Sequence, residues 1–395
     1  MATSETYQPP DTISGLQRFG MGAGFAGAVL TAVGFMMADA ARFYQAYLVA
    51  YTFWMGLVLG SMALLMVQHL SGGAWGVVIR RPLEAAVRTM PIMAILYLPI
   101  VFGMHDLYHW THTEVVANDP ILQQKEPYLN QGFFLIRQLA YFTIWSGISW
   151  MLTKWSAEQD RTGDPALIRK FSILSGAGLI IYSLTVSFAM IDWTMSVNPH
   201  WSSTMWGPLY MVGQGLSALS FAVVVLIMLS QVAPLNRVIT SAHLHDLGKL
   251  LFAFLMLWAY LTFSQYLIVW SANVVEEIPH YLIRWDNGYQ WVTVFMIVAH
   301  FALPYALLLS RDIKRDWKRL RLVATWVLIA RVVEYYWHVA PEFHAERLSV
   351  GLLDIAVPIA IGGIFLALFA ANLKGYSLLP VKDPGLPKAL AHHVH

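Results

Sequence analysis

Three histidines and an aspartate end an apolar run in the segment GMHDLYHWTH, residues 103–112. His105, His109 and His112 are spaced i, i+4 and i+7, which on a helix would place them on one face. Imidazoles at this spacing could bind a metal ion, but no further ligand is indicated by position, so we predict no metal site. Two alternatives stay open. One is a polar helix end beside a redox partner or a quinone headgroup, and the other is a solvated interface.

The segment RVVEYYWH, residues 331–338, carries ionisable side chains inside an apolar stretch. Arg331, Glu334 and His338 are spaced i, i+3 and i+7, so they form one stripe along a helix. His300 and Asp354, in the neighbouring apolar stretches, are expected at the depths of Arg331 and His338 respectively. Because a charge inside a bilayer must be paired or neutralised, the set predicts a proton path. A structural Arg331–Glu334 ion pair is the alternative.

The proton path would continue toward the opposite side of the membrane through Asp246, whose alternative role is an N-cap for its helix. In the first half of the chain His69 and Glu84 are the corresponding candidates, and Glu84 could instead form an i, i+4 salt bridge with Arg88. A quinone headgroup would need an acid, a base and hydrogen-bond donors, and we expect these groups to converge at one helix end. The quinone-binding candidates are His105, Asp106, Arg137, Gln138 and Asp192.

These side chains must be positioned by membrane helices, because the 395-residue chain is 57% hydrophobic and only 12% charged. A helix needs about 20 apolar residues to cross a bilayer, and the sequence contains ten such runs. They lie near 19–38, 45–70, 83–103, 132–155, 168–192, 206–230, 245–272, 288–310, 321–340 and 350–372. We therefore predict an all-α polytopic membrane protein with an N-terminal segment 1–18, a membrane domain 19–372 and a tail 373–395.

The ten predicted spans divide into two similar halves. EPYLNQGFFLIR precedes span 4 and the similar IPHYLIRWDNGYQW precedes span 8. An offset of four spans preserves direction through the membrane, so spans 2–5 and 6–9 are predicted to form two related four-helix bundles flanked by spans 1 and 10. Nineteen of the 25 Lys and Arg residues lie in the N-terminal segment, the loops after even-numbered spans, the span ends that adjoin these loops, and the tail, against four in the other loops. This bias predicts that both termini are cytoplasmic.

The composition also restricts the cofactors and partners. Cysteine is absent, which excludes thiolate-bound iron–sulfur clusters and covalent haem attachment within this chain. Among histidines inside the predicted spans only His300 lies at mid-depth, whereas a haem between helices needs two at similar depth. We expect no cofactor in this chain. The positive charge lies on inner loops, which suits anionic membrane lipids and gives no indication of nucleic acid.

Two long segments resemble a known family. HDLGKLLFAFLMLWAYLTFSQYLIVWSANVVEEIPHYLIR at 245–284 and EVVANDPILQQKEPYLNQGFFLIR at 114–137 resemble the polysulfide-reductase-type membrane subunits of bacterial alternative complex III. That complex is a quinol:cytochrome c (electron acceptor) oxidoreductase of the respiratory or photosynthetic chain, and this chain looks like the smaller of its two ten-span subunits. The resemblance implies residence in the bacterial inner membrane.

The resemblance also implies partners: a homologous larger ten-span subunit that binds quinol, multihaem cytochrome c subunits and an iron–sulfur protein. Haem c and iron–sulfur clusters would lie on those partners, and menaquinol or quinone is the ligand that the family allows. The larger subunit is understood to bind quinol through a His and an Asp. Span 4 of this chain has no histidine, and Arg137, Gln138 and Asp192 are the nearest outer-side candidates.

Three functions are therefore carried forward. The first is a cofactor-free membrane subunit that scaffolds the redox subunits and conducts protons. The second is a secondary transporter, because prolines inside spans could break helices as transporter sites require. The third is a quinol-binding subunit in its own right.

Overall fold

The computed structural model describes residues 7–392, so the first six and last three residues of the predicted terminal segments lie outside the described residues. The described chain is helical, with no strand in it. Its ten long helices are α1 (Thr12–Met37), α2 (Ala40–Ser71), α3 (Ala74–Phe102), α4 (Gln131–Thr162), α5 (Ala166–Trp193), α6 (Trp206–Leu229), α7 (Ser241–Ala272), α8 (Tyr289–Leu309), α9 (Trp317–Phe343) and α10 (Leu352–Lys374). Short helices lie at Met104–Leu107, Thr113–Asn118, Pro120–Lys125, Pro279–Leu282, Arg311–Arg315 and Leu386–Leu390, with 3-10 turns at His109–Thr111, Met195–Val197 and Leu235–Arg237.

Eight helices of the described chain are long and apolar enough to cross a membrane, namely all of the ten except α4 and α9. The protein is therefore an all-helical membrane protein. Helices α4 and α9 have 32 and 27 residues, which is sufficient length, but they carry more ionisable side chains. The expectation of ten spans in two four-helix bundles stays a prediction at this point.

Helices α2 and α6 form the centre of the molecule. Both are apolar around their whole circumference, and most of each is buried inside the protein, as expected for helices surrounded by other helices. Gly60 permits their close approach, because a Cβ atom there would lie 2.5 Å from the carbonyl carbon of Gln214. Helix α2 also contacts α3, α5, α9 and α10, and α6 contacts α5, α7 and α9.

Helices α1 and α10 pack on one another through small residues. A Cβ atom on Gly20 would lie 2.6 Å from the backbone nitrogen of Ala367, and one on Gly27 would lie 2.7 Å from Cα of Ala360. The two backbones are thus in direct contact, which is typical of small-residue interfaces between membrane helices.

The loops 103–130, 194–205, 273–288 and 344–351 lie together at one end of the helices. Lys125 donates to the carbonyl of Pro199 at 2.5 Å, and the amide of Leu348 donates to the carbonyl of Asn287 at 2.8 Å. We call this the outer end, after the predicted orientation, and the opposite end the inner end. Segment 376–392 lies at the inner end, where Asp383 pairs with Arg80 at 2.6 Å.

Candidate functional site

Arg331 and Glu334 of α9 form an ion pair in the interior of the protein. Nη1 of Arg331 donates to Oε2 of Glu334, and only 2% of either side chain is exposed. The other oxygen, Oε1, accepts a hydrogen bond from Nε1 of Trp258 on α7 at 2.7 Å. The carboxylate of Glu334 is therefore held by two donors from two helices.

Two histidines flank this carboxylate. Nδ1 of His300 on α8 lies 3.7 Å from Oε2, and Nε2 of His338 lies 3.5 Å from Oε1. Both distances are longer than a direct hydrogen bond and within the range of an ion pair. The buried Nδ1 atoms of both histidines and Nε2 of His300 have no hydrogen-bond partner within residues 7–392. We call Trp258, His300, Arg331, Glu334 and His338 the Glu334 cluster.

A π-helical turn positions His300. Residues Met296–Ala302 of α8 form π-helix between two α-helical segments. Pro304 has no backbone N–H and so cannot donate to the carbonyl of residue 300, which favours a change of helical pitch here. The ring of His300 lies 4.1 Å from that of Trp258. Such π-turns are frequent at functional sites.

Small residues of α6 make room for the guanidinium of Arg331. A Cβ atom on Gly213 would lie 2.6 Å from Cζ of Arg331. One turn further, the hydroxyl of Ser217 accepts a hydrogen bond from Nε of Arg331 at 3.2 Å. A larger residue at either position would displace the charged group from its partner.

A cavity of about 550 Å³ opens beside the cluster, between α7, α8, α9 and the loop 273–288. Its walls are almost entirely apolar and aromatic, with Phe263, Met296 and Trp337 among them. Glu334 and His338 contribute the only acidic and imidazole side chains of its lining among the described residues. A largely apolar cavity of this size with a few polar groups at one side is typical of a site for a small organic molecule.

A second set of buried charges lies between the cluster and the outer end. Nδ1 of His280 lies 2.8 Å from Oε1 of Glu342, and Nη2 of Arg284 lies 3.0 Å from the same oxygen. Burial, with a contribution from the nearby Arg284, lowers the pKa of His280 to about 3. We call His280, Arg284 and Glu342 the outer ion cluster. Sequence reasoning missed it, although Glu342 continues the stripe of α9 four residues beyond His338.

Asp354, predicted to join the proton path, has its partners elsewhere. It pairs with Arg42 at the start of α2 and accepts a hydrogen bond from the amide of Gly351 at 2.7 Å. Its place in the first turn of α10 explains this, since a carboxylate there satisfies free amides of the helix start. The structure therefore brings together His300, Arg331, Glu334 and His338, but not Asp354.

Asp246 also lies apart from the cluster. It contacts His392 of the tail at 2.8 Å and Lys249 at 3.2 Å, at the inner end. Nor does it cap α7. Thr240 and His243 form the capping box of that helix, with the amide of Thr240 donating to Nδ1 of His243 at 3.1 Å.

The first-half candidates His69 and Glu84 are likewise engaged at the inner end. The ring of His69 stacks on Phe171 at 4.2 Å. Glu84 pairs with Arg80 at 2.8 Å and Arg81 at 2.6 Å, while Arg88 is 4.0 Å away. The expected Glu84–Arg88 pair is thus secondary, because Arg80 and Arg81 on the preceding turn reach the carboxylate first.

Three of the five quinone-binding candidates do converge. Arg137 of α4 makes a bidentate contact with Asp192 of α5, with distances of 2.9 and 2.8 Å from Nε and Nη2. Gln138 and Tyr141 also donate to the carboxylate, at 3.2 and 3.0 Å. All these groups are buried and already paired with one another. The carboxylate therefore has little capacity left for a ligand.

His105 and Asp106 do not join that group, because both are exposed. The three histidines of the segment also do not share a helix face, since the helix ends at Leu107 and Tyr108 has an extended backbone. The rings of His105 and His112 nevertheless lie 3.8 Å apart. Across the part of the chain that the structure describes, no group of three or more His, Cys, Asp or Glu side chains is arranged to hold a metal ion.

The fold and the site together define an all-helical membrane protein with a buried ionisable cluster beside an apolar cavity. The chain matches no protein-family model, and a comparison with curated proteins gives no significant match.

Proposed function

We propose that this chain is the smaller ten-span membrane subunit of a quinol:cytochrome c (electron acceptor) oxidoreductase of the bacterial inner membrane. In this proposal it has no redox cofactor of its own, scaffolds the redox subunits and moves protons at the Glu334 cluster. Its partners are the larger quinol-binding subunit, multihaem cytochromes c and an iron–sulfur protein. The resemblance of segments 114–137 and 245–284 supports the complex. The buried Glu334 cluster is the observation that carries the proton function.

Ten spans with cytoplasmic termini form part of the proposal. The ionisable residues that lower the hydropathy of α4 and α9 include Arg137 and Arg331, and each has a carboxylate partner. Pairing removes much of the cost of placing them in a bilayer. Within the two proposed groups, α2 contacts α3 and α5, and α6 contacts α7 and α9, while the groups meet mainly through α2 and α6.

Proton movement is assigned to the two imidazoles. Glu334 is engaged by Arg331 and Trp258, so we give it the role of a shared partner rather than of the mobile acid. His300 and His338 lie on either side of it, and a small rotation would bring either nitrogen to hydrogen-bond distance. An imidazole both accepts and donates a proton, which suits it to this step.

The test is Glu334→Gln in the purified complex, reconstituted in vesicles. Glutamine keeps the shape but not the charge that His300 and His338 share. We expect co-purifying c-type haem and quinol oxidation to be retained, with fewer protons moved per electron. The matched control is Glu114→Gln, an exposed acid in the outer loop 103–130, which should change nothing. Normal assembly with unchanged proton movement in Glu334→Gln would remove the proton function.

A second candidate function is quinol binding by this chain, and the cavity is the observation that favours it. The cavity lies beside Glu334 and His338, rather than at the predicted site around Arg137 and Asp192. A photoreactive quinone analogue should therefore label α7–α9, for example at Met296 or Trp337. Labelling of α4 and α5 would instead support the predicted site. A haem-free homo-oligomer on gentle purification would favour the transporter.

A further inference from the structure

The buried face of α9 changes character halfway along the helix. Toward the outer end from mid-helix, this face carries Glu334, His338 and Glu342, which follow one another at intervals of four residues. Inward it carries Val327, Val323 and Leu320, which are all buried. Residues four apart lie on the same side of a helix. The ionisable stripe therefore extends from the cluster in one direction only.

Helices α7 and α8 repeat the apolar character at the inner level. Leu255 and Leu251 lie one and two turns inward of Trp258 on α7, and Leu308 lies two turns inward of His300 on α8. All three are fully buried. Along α9, Val327 and Leu320 are seven positions apart, which corresponds to about 10 Å. A hydrogen bond joins atoms about 3 Å apart, so this layer interrupts a relay of side chains along α7, α8 and α9 toward Asp246.

Toward the outer end, the next ionisable group of α9 after His338 is Glu342, one turn away or about 6 Å along the helix. Nη2 of Arg284 donates to the backbone carbonyl of His338 at 2.7 Å and to Glu342 at 3.0 Å. The ring of Trp206 lies 5.0 Å from that of His338 and 5.8 Å from that of His280, so both imidazoles border the same indole. Because burial lowers the pKa of His280 to about 3, its imidazole is neutral near pH 7.

The surroundings of the outer ion cluster favour a relay that ends at the surface. Nδ2 of Asn198 donates to the second oxygen of Glu342 at 2.9 Å. His280 stacks on Trp201 with ring centres 3.9 Å apart, which orients its nitrogen toward Glu342. Glu342 is in the last turn of α9, and Ala345 and Glu346 just beyond it are exposed.

We infer that the Glu334 cluster exchanges protons with the outer face alone, through His338 and the outer ion cluster. The second half of the chain is then a half-channel and not a path across the membrane. This inference rests on the proposed proton function and gives it a direction and two further residues, His280 and Glu342.

The first experiment uses the chain alone in vesicles. A potassium gradient with valinomycin drives protons inward, and an enclosed pH dye reports their entry. We expect the same rate as in protein-free vesicles, since the apolar layer closes the inner side. A faster rate that Glu334→Gln abolishes would overturn the inference, because protons would then cross the whole membrane by way of the cluster.

The second experiment uses the reconstituted complex and measures proton release on the outer side per electron. Glu334→Gln and Glu342→Gln should each lower it at least twofold, and Asp246→Asn should leave it unchanged. His280→Gln is the milder variant of the outer ion cluster, should Glu342→Gln fail to assemble, and the same decrease is expected. Assembly is checked by co-purifying haem.

The outcomes separate the two proposals. No effect of Glu334→Gln would remove the proton function itself. A decrease with Glu334→Gln but none with His280→Gln and Glu342→Gln would retain that function and overturn the outer route. A decrease with Asp246→Asn would show that the path continues to the inner end, which also overturns the half-channel.

Discussion

Removing one partner of the Arg331–Glu334 pair should destabilise the protein far more than removing both. Only 2% of either side chain is exposed, so water cannot replace a lost partner. Breaking a buried pair from one side costs about 3–5 kcal/mol, whereas replacing both partners is often close to neutral. We expect Arg331→Met to fall at the upper end of this range. Glu334→Gln should fall at the lower end, because its amide oxygen can still accept from Trp258.

The double variant Arg331→Met/Glu334→Gln should therefore recover stability. It leaves no unpaired charge, and the methionine can fill the space beside Gly213. We expect a coupling free energy of at least about 2 kcal/mol between the two positions. The free energy of unfolding can be measured by titration with sodium dodecyl sulfate in mixed micelles. Fluorescence of the 16 tryptophans is the signal.

The matched control is the Arg42–Asp354 pair at the outer end. Its side chains are 17% and 7% exposed, so water can partly compensate for a lost partner. Arg42→Met should then cost about 1 kcal/mol. If the costs of the two Arg331 and Glu334 substitutions simply add in the double variant, the uncompensated charge is not their cause and the reasoning fails.

Three further predictions concern packing, the first half and pH. Gly363→Ala should lower the free energy of unfolding by about 1–3 kcal/mol, because its Cβ would overlap the backbone of Gly24 and separate α1 from α10. The control is Gly22→Ala, where a Cβ meets no atom within 4 Å, and it should cost nothing in the same titration. Asp192→Asn should cost about 3 kcal/mol, because it leaves a buried arginine without its carboxylate partner. It should leave quinone photolabelling unchanged, and loss of labelling would contradict binding of the quinone in the cavity beside Glu334. The pKa of His280 is about 3 in the folded chain, against an ordinary 6.5. As the pH falls, the unfolded chain therefore binds the proton first. The neutral ring contributes stability that is complete above about pH 6.5 and is lost toward pH 3. The unfolding midpoint of His280→Gln should depend less on pH across that interval, and an unchanged pH dependence would refute this.

The sequence by itself determined the class of protein and the local geometry of its polar residues. Long apolar runs with little charge leave only helices that satisfy their own backbone groups, and the structure confirms an all-helical membrane protein. The stripe of Arg331, Glu334 and His338 was predictable because spacing along one helix determines which side chains share a face. Glu342 lies on the same stripe and could have been included.

Only the tertiary structure decided which of these side chains meet across helices. Asp354 was expected beside His338 but pairs with Arg42, and His280, from a loop, joins Glu342. Depth along a helix follows from the sequence, whereas contact between helices depends on the rotation and pitch of each helix. His300 reaches Glu334 by way of a π-turn in α8. The cavity likewise is formed by residues of α7, α8, α9 and a loop together, so no single segment of the sequence could have revealed it.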